Sequence, residues 1–345
     1  MNNTNSKSSL NDTPLPLVSV VIPCRNEEKT IQSVLTAIKN QDYSGNIEVV
    51  LAEAKSTDKT VQKINEWKQN NNLDLRIVTN SMIKIPIGVN MAIHEARGEI
   101  IVRMDGHSIP NSCYISEAVT TLLNSKYDIV GGKWIVQPGS TTRVAKTIAI
   151  ATSHFFGVGD SKYRVSKNIK NGLEVDTVPF GCFRKALWEK VGGFDEEMFI
   201  NEDYDFNFRV RKSGGLIFLN PKMQCVYLSR PTIKKLVKQY FQYGMWKSKM
   251  ISKFPKSVRW RHLAPPLFII CLSLCFIIGF FIRELLLLFL IVFFSYLVTS
   301  IVVSIFTIRK FKVDFFLLPL IFFVIHITWG SGFIYGLIKA PYRNK

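Results

Sequence analysis

The feature that most constrains the fold is a set of three long apolar segments after residue 261. They span residues 263–282, 285–308 and 315–338, and each meets the ~20 residues that a helix needs to cross a bilayer. No polar face repeats along them at helical spacing, as a helix of a soluble core would require. Only Arg283 and Glu284 separate the first two segments. The sequence therefore predicts two to three transmembrane or re-entrant helices over 263–338, beginning with a tight hairpin.

The positive charge of the chain is placed as in a membrane protein. The formal net charge is +18, and basic residues flank the apolar segments: Lys247, Lys249, Lys253, Lys256, Arg259, Arg261, Arg309, Lys310 and Lys312. The positive-inside rule makes both basic stretches cytoplasmic, and they would also attract anionic headgroups. No basic surface interleaved with aromatic residues indicates nucleic acid. Three full crossings would leave Lys339, Arg343 and Lys345 outside. The third segment also contains Pro319, His326, Gly330, Gly332 and Gly336, so it is either a span or a re-entrant, broken helix.

These patterns divide the chain into five segments. Residues 1–15 are polar, lack the apolar core of a signal peptide, and are expected to be disordered. An α/β domain is predicted over 16–246 and a basic juxtamembrane segment over 247–262. The apolar region follows over 263–338, and then a short tail over 339–345. The expected location is the plasma membrane, with the α/β domain on its cytoplasmic side.

Strands and helices alternate in the first hundred residues. The predicted strands are apolar, β-branched runs at 17–23, 47–51, 75–79 and 99–104. A helix after the first strand is predicted from apolar residues at helical spacing: Ile31, Val34, Leu35 and Ile38. This alternation indicates an α/β fold with a parallel, doubly wound sheet flanked by helices. Ligands of such sheets bind beyond the carboxyl ends of the strands, so the residues that follow each strand are site candidates.

Asp105 and His107 follow the fourth predicted strand and lie two residues apart. If the backbone stays extended there, both side chains point to the same side and can share one divalent ion. Oxygen ligation suits Mg²⁺ or Mn²⁺, and the imidazole favours Mn²⁺ slightly. The alternative is a strand-ending turn, in which Asp105 accepts hydrogen bonds from backbone amides ahead of Gly106.

Glu202 and Asp203 stand at the start of a predicted helix, since Phe206 and Val210 recur at helical spacing. An acid in the first turn often interacts only with the helix dipole. Alternatively, one of the two carboxylates is a general base that deprotonates a hydroxyl in a cleft.

Two further groups of side chains have open interpretations. Glu53 stands just past the second strand, where a carboxylate is either solvated or accepts hydrogen bonds from a nucleobase or ribose. Between the α/β domain and the membrane stand Arg230, Gln239, Tyr243 and Trp246. A cation with an indole can clamp a phosphate or stack on a sugar, but an amphipathic interfacial helix uses the same residue types.

Taken in order, these signals resemble glycosyltransferase family 2, which has the GT-A fold. The blocks that carry the resemblance are 18–27, 48–60, 104–107, 179–184, 192–196 and 201–203. Membrane-tethered enzymes similar to those of succinoglycan biosynthesis share the DxH variant at Asp105 and the ending Tyr243-Gly-x-Trp-Lys247. The resemblance implies a Rossmann-like, mostly parallel sheet over residues from about 16 to 250.

The resemblance also implies an inverting transfer from a nucleoside-diphosphate sugar, with a UDP-sugar as the expected donor. The implied donor contacts are Pro23, Arg25, Glu27, Glu53, Asp105, Arg230, Gln239 and Trp246. Asp105 and His107 would hold Mg²⁺ or Mn²⁺. Asp203 would be the base that deprotonates the acceptor hydroxyl. Glu202 would orient that base or hold the acceptor, and Gly181 would belong to the acceptor loop.

The chain departs from the family pattern at three places. Ala54 and Lys55 replace the usual Asp and Gly after Glu53, and His107 replaces an aspartate of the metal motif. The run 239–243 differs from the QxxRW of processive synthases, so addition of a single sugar is expected. The leading hypothesis is an enzyme that extends a lipid-linked saccharide in cell-surface polysaccharide or glycolipid synthesis. The alternatives are transfer to polyprenyl phosphate itself and an inactive membrane scaffold that binds nucleotide sugars.

Overall fold

The structure, a computed structural model, describes residues 14–165, 170–311 and 314–339. The expectations for residues 1–13, Lys312 and the tail residues 340–345, including Arg343 and Lys345, therefore lie outside the described residues.

The described residues contain nine strands in one sheet. Their bounds are β1 Val18–Cys24, β2 Ile47–Glu53, β3 Asp74–Thr79, β4 Ile100–Arg103, β5 Ile109–Pro110, β6 Ile129–Gln137, β7 Leu173–Glu174, β8 Cys182–Arg184 and β9 Ile217–Leu228. The order is β3-β2-β1-β4-β8-β6-β9-β5, with β7 paired to β9. The first four strands in this order are parallel, and β8 runs antiparallel to β4 and β6. The predicted α/β class is confirmed: the parallel arrangement holds for the first half of the sheet, and the second half is mixed.

Helices cover both faces of this sheet. Their bounds within the described ranges are α1 Ile31–Lys39, α2 Thr60–Gln69, α3 Ile85–Glu95, α4 Tyr114–Asn124, α5 Arg143–Ala151, α6 Phe155–Val158, α7 Lys162–Val165, α8 Lys185–Val191, α9 Glu202–Lys212, α10 Ile233–Lys253, α11 Trp260–Gly279, α12 Arg283–Phe311 and α13 Leu317–Lys339. One core packs α1, α2 and α4 on the sheet, and the other packs α3 and α9 on the opposite face. Since β1 and β4 are buried on both faces, their sequences are nearly continuous apolar runs.

The three C-terminal helices α11, α12 and α13 are long and apolar enough to cross a membrane, by length and composition. α11 and α12 form the predicted hairpin around residues 280–282. α13 is one continuous helix, so the broken-helix alternative does not describe it. Its glycines, which suggested a break, lie where other helices approach closely. A Cβ atom on Gly332 would lie 2.1 Å from the carbonyl oxygen of Phe241 in α10.

Helix α10 joins the sheet domain to the C-terminal helices. It packs along α13, and a Cβ atom on its Gly244 would lie 2.0 Å from the carbonyl oxygen of Trp329. The domain boundary expected between residues 246 and 247 falls inside this helix, which continues to Lys253. The α/β domain and the C-terminal helices are therefore packed together through α10.

The basic segment predicted over residues 247–262 is also tied to the sheet domain. Arg261 forms ion pairs with Asp160 at 2.8 Å and with Asp176 at 2.5 Å. Lys253, at the end of α10, pairs with Asp195. Part of the charge expected to attract lipid headgroups is thus used within the protein.

We expect Gly244→Val to lower the free energy of unfolding by about 1–3 kcal/mol, because the added methyl groups overlap the backbone of α13. The measurement is the thermal midpoint of the full-length protein in detergent. Ser252→Val, at an exposed position of the same helix, is the control. Equal midpoints for the two variants would contradict the close approach of the helices.

Candidate active site

The candidate site is organised around Arg103, the last residue of β4. Its buried guanidinium lies 3.0 Å from Asp105, 2.9 Å from Glu202 and 3.3 Å from Asp203. One cation therefore joins the aspartate of the proposed metal motif to both acids of α9, from opposite halves of the chain. Sequence reasoning missed Arg103, although a lone charged residue in the buried strand Ile100–Arg103 was a usable signal.

Glu202 and Asp203 have different surroundings. They begin α9 directly after Asn201, whose φ of 69° lies in the left-handed region that asparagine tolerates. The side chain of Glu202 is only 10% exposed, whereas that of Asp203 is 23% exposed. Burial raises the pKa of both carboxyls, and neighbouring carboxylates add to the shift while Arg103 opposes it. Asp203 is therefore the more accessible of two acids whose affinity for a proton is increased.

Asp105 and His107 line the same cavity, although the backbone turns at residues 106–107 and does not stay extended; their sharing of one metal ion stays a prediction. Nδ1 of His107 lies 2.7 Å from a carboxylate oxygen of Glu27. Since an ionised carboxylate only accepts hydrogen bonds, Nδ1 donates, and in the neutral imidazole Nε2 keeps its lone pair for a ligand. The turn after β4 also forms, but it uses the backbone of Asp105 with Ser108, while the Asp105 carboxylate pairs with Arg103.

This donor set fits a divalent ion that is completed by substrate. Among the described residues, no group of three or more His, Cys, Asp or Glu side chains could hold a metal ion. Mg²⁺ is commonly held by one or two protein carboxylates together with substrate phosphates. One carboxylate and one imidazole oriented by Glu27 match that arrangement, since a hydrogen-bonded carboxylate fixes the orientation of a ligating histidine.

We expect Glu27→Gln to weaken Mn²⁺ binding by about 10- to 100-fold, the usual effect of removing a partner that orients a metal ligand. The amide cannot hold His107 in the same tautomer as firmly as the carboxylate does. Titration with Mn²⁺, followed by electron paramagnetic resonance, measures the change. Glu28→Gln is the matched control, because Glu28 accepts from the backbone of Lys59 and not from His107. Equal Mn²⁺ affinities in the two variants would refute this role for Glu27.

The other residues predicted at the strand ends lie outside the cavity lining. Glu53 is 8% exposed, and its two oxygens accept hydrogen bonds from the amides of Lys55 and Ser56 at 3.1 and 2.6 Å. It therefore closes the turn after β2, in which Lys55 has a left-handed φ of 51°. Pro23 lies within β1 and Arg25 is exposed just after it. Their contacts with a nucleotide stay predictions.

The predicted residues nearer the membrane divide into two groups. Arg230 and Gln239 line the cavity, and Gln239 donates hydrogen bonds of 2.9 Å to the hydroxyls of Tyr227 and Tyr243. Trp246 does not line it and packs against Phe199 instead, with ring centroids 5.1 Å apart. Gly181 also lies outside the lining, where its carbonyl accepts from the amide of Arg103.

The cavity that these residues line has a volume of about 900 Å³. At one end it is lined by Arg103, Asp105, His107, Glu202 and Asp203. At the other end it reaches residues of the C-terminal helices: Trp260, Pro265, Phe268, Tyr296, His326 and Trp329. The candidate catalytic groups and the candidate membrane helices therefore share one space.

Much of the wall between these two ends comes from the stretch 133–178, in which the sequence offered no recognisable motif. Trp134, Tyr163 and Arg164 line the cavity from this stretch. Trp134 stacks on Tyr227 of β9 with centroids 4.0 Å apart. Such contacts depend on pairing between distant elements, which local patterns do not encode.

Comparison with known proteins shows the family of the chain. The family model described as Glycosyl transferase family 2 matches residues 19–191. The chain therefore belongs to glycosyltransferase family 2, as its motifs predicted, and it is a glycosyltransferase.

Two curated relatives extend the likeness beyond that region. The chain is 28% identical over 330 residues to the dolichyl N-acetyl-alpha-D-glucosaminyl phosphate 3-beta-D-2,3-diacetamido-2,3-dideoxy-beta-D-glucuronosyltransferase of Methanococcus voltae, covering 94% of this chain and 98% of the relative. It is 27% identical to the succinoglycan biosynthesis protein ExoA of Rhizobium meliloti, over 71% of this chain and 73% of that protein.

A solved structure confirms the GT-A fold. The mannosyltransferase PcManGT of Pyrobaculum calidifontis, in complex with GDP-Man and Mn²⁺, matches with a TM-score of 0.53 and 20% identity. The match covers 72% of this chain and 66% of that one.

Proposed function

We propose that this glycosyltransferase moves one sugar from a nucleoside-diphosphate donor, a UDP-sugar, to a hydroxyl of a lipid-linked saccharide, with inversion. The observation that carries the proposal is the single cavity lined by Asp105, His107 and Asp203 and also by residues of α11 and α13. A donor bound near Asp105 and His107 and a lipid bound beside α11 and α13 would meet at Asp203. The name of the Methanococcus voltae relative, which specifies a dolichyl-linked acceptor, supports this substrate class.

In the proposed mechanism, Asp203 accepts the proton of the acceptor hydroxyl while the hydroxyl oxygen attacks the anomeric carbon of the donor sugar. Attack from the side opposite the departing diphosphate inverts the configuration. Arg103 fixes Asp203 and Glu202 through ion pairs of 3.3 and 2.9 Å. Glu202 is the more buried acid and orients this assembly, because its carboxylate is held within the protein.

Asp105 and His107 would hold Mg²⁺ or Mn²⁺, which when bound neutralises negative charge on the diphosphate. Mn²⁺ is present in the PcManGT complex and in a GalNAc-T7 structure with UDP and GalNAc, which has a TM-score of 0.50 and 14% identity. These complexes support a divalent ion and a nucleoside-diphosphate donor. We also assign donor contacts to Arg230 and Gln239, which line the cavity.

We place the α/β domain on the cytoplasmic side of the plasma membrane. The support is the charge pattern, since Lys253, Lys256 and Arg259 precede α11 and Arg309 stands at the end of the second candidate span.

The test is a transfer assay with purified full-length protein, Mn²⁺ and a panel of nucleotide sugars. Two acceptors are compared: polyprenyl phosphate and polyprenyl-phosphate N-acetylglucosamine. The proposal predicts a lipid-linked disaccharide from the second acceptor. Transfer to polyprenyl phosphate itself would favour the rival enzyme, and donor binding without transfer to either acceptor would favour an inactive scaffold.

A further inference from the structure

Arg164 lies in a cage of aromatic rings in the cavity wall. Its guanidinium carbon is 4.6 Å from the ring centroid of Trp134, 5.5 Å from that of Tyr163 and 5.7 Å from that of Tyr227. Cation–π attraction of this kind stabilises a guanidinium without neutralising it. The cage therefore holds a positive charge in a fixed position on the cavity surface.

No carboxylate among the residues that the structure describes pairs with this charge. Within the described ranges Arg164 forms no ion pair, and its Nε atom is buried without a hydrogen-bond partner. Arginine cannot lose its proton in a protein, so the charge persists. A partly buried charge without a counterion is unfavourable, and this cost falls when an anion binds.

The other cations of the cavity wall differ from Arg164. Arg103 and Arg261 are each paired with carboxylates. Lys247 is buried, and burial together with the nearby Arg261 holds its pKa well below the usual value. Arg230, Lys235 and Lys238 also line the cavity, and all three are exposed to solvent. Arg164 is thus the cation of this wall whose surroundings most favour an anionic ligand.

The position of Arg164 indicates which end of the cavity the anion occupies. The α6 segment, just before it, lies against α13, where Nε2 of His326 is 2.7 Å from the carbonyl oxygen of Phe156. Toward the catalytic groups, the ring centroid of Trp134 is 5.6 Å from that of Phe180. The ring centroid of Phe180 is 5.4 Å from the guanidinium carbon of Arg103. Arg164 therefore lies on the side of the membrane helices, and the rings of Trp134 and Phe180 separate it from the catalytic groups.

We propose that Arg164 binds the phosphate that joins the lipid to the first sugar of the acceptor. This inference rests on the proposed function and adds the acceptor's recognition group to it. A phosphate at Arg164 leaves the space beside Trp134 and Phe180 for one sugar, whose hydroxyl reaches Asp203. The enzyme would then extend the sugar that is attached directly to the lipid phosphate.

The experiment measures binding of farnesyl phosphate and of farnesol to the full-length protein in detergent. We expect the parent protein to prefer the phosphate and Arg164→Gln to lose about 10- to 100-fold of that affinity, the worth of a charge-assisted hydrogen bond. Farnesol binding should not change. Arg143→Gln, at an exposed position of α5, is the matched control and should behave as the parent.

Three outcomes would overturn the proposal. The first is an equal preference for phosphate in Arg164→Gln and in the parent. The second is an unchanged preference for phosphate in Arg164→Lys. This variant keeps the charge but not the planar fork of the guanidinium, so it should lose part of the affinity for farnesyl phosphate. It decides the matter if the glutamine variant does not fold. The third is a loss of UDP affinity in place of farnesyl phosphate affinity, which would assign Arg164 to the donor. Each binding result is independent of sugar transfer, so failure of the proposed function would show separately in the transfer assay.

Discussion

Replacing Asp203 by asparagine should lower the rate of sugar transfer by about 10²- to 10⁴-fold, the contribution of a positioned general base. The asparagine side chain has almost the same shape but cannot accept the proton of the acceptor hydroxyl. Affinity for the nucleotide donor should change little, because Asp203 is assigned to the acceptor side of the cavity. The measurements are kcat for transfer and the dissociation constant of the donor in the same preparation.

Two comparisons sharpen this result. Glu202→Gln should have the smaller effect on kcat, since Glu202 is more buried and acts by orienting its neighbours. Asp74→Asn changes an aspartate that is 48% exposed at the start of β3, and it should retain the parent rate. Transfer by Asp203→Asn at close to the parent rate would remove Asp203 from the mechanism.

The second large effect is expected for Arg103→Gln, which should lower the free energy of unfolding by about 3–5 kcal/mol, as for other broken buried ion pairs. The substitution leaves Asp105, Glu202 and Asp203 close together without the cation that offsets their repulsion. Transfer should also be lost, because the same carboxylates are then held less firmly. The thermal midpoint of the full-length protein in detergent measures the stability change.

Arg184→Gln is the matched control for Arg103. Arg184 lies on the adjacent strand β8 and donates to the carbonyl of Leu122 at 2.7 Å, with no ion pair in the described parts of the chain. Arg184→Gln should lower the free energy of unfolding by less than Arg103→Gln does. Adding Glu202→Gln to Arg103→Gln should recover part of the stability, since one of the stranded charges is removed. Equal midpoint shifts for the two arginine variants, or no recovery, would contradict the role of Arg103 as a shared counterion.

The parts of the molecule that follow local periodicity could be predicted from the sequence. The strands β1 to β4, the buried face of α1 and the hairpin of α11 and α12 all arise from runs or spacings within a few residues. The order of the motifs likewise indicated the family, because Asp105, His107, Glu202 and Asp203 are local signatures.

The parts that depend on distant pairing could not be predicted. Arg103 meets Glu202 across 99 positions of the sequence, and Glu27 meets His107 across 80. No spacing rule connects such residues. The glycines of α13 were misleading for the same reason. Gly332 permits close packing against α10, and this role is visible only once both helices are placed.

The most direct test of the account is the nuclear magnetic resonance spectrum of the lipid product formed by the full-length protein from an α-linked nucleotide sugar and polyprenyl-phosphate N-acetylglucosamine. The account predicts one added sugar in the β configuration, since Asp203 serves a single in-line displacement. A product that retains the α configuration would contradict that displacement. Donor binding without any lipid product, in the presence of Mn²⁺, would contradict the transfer itself.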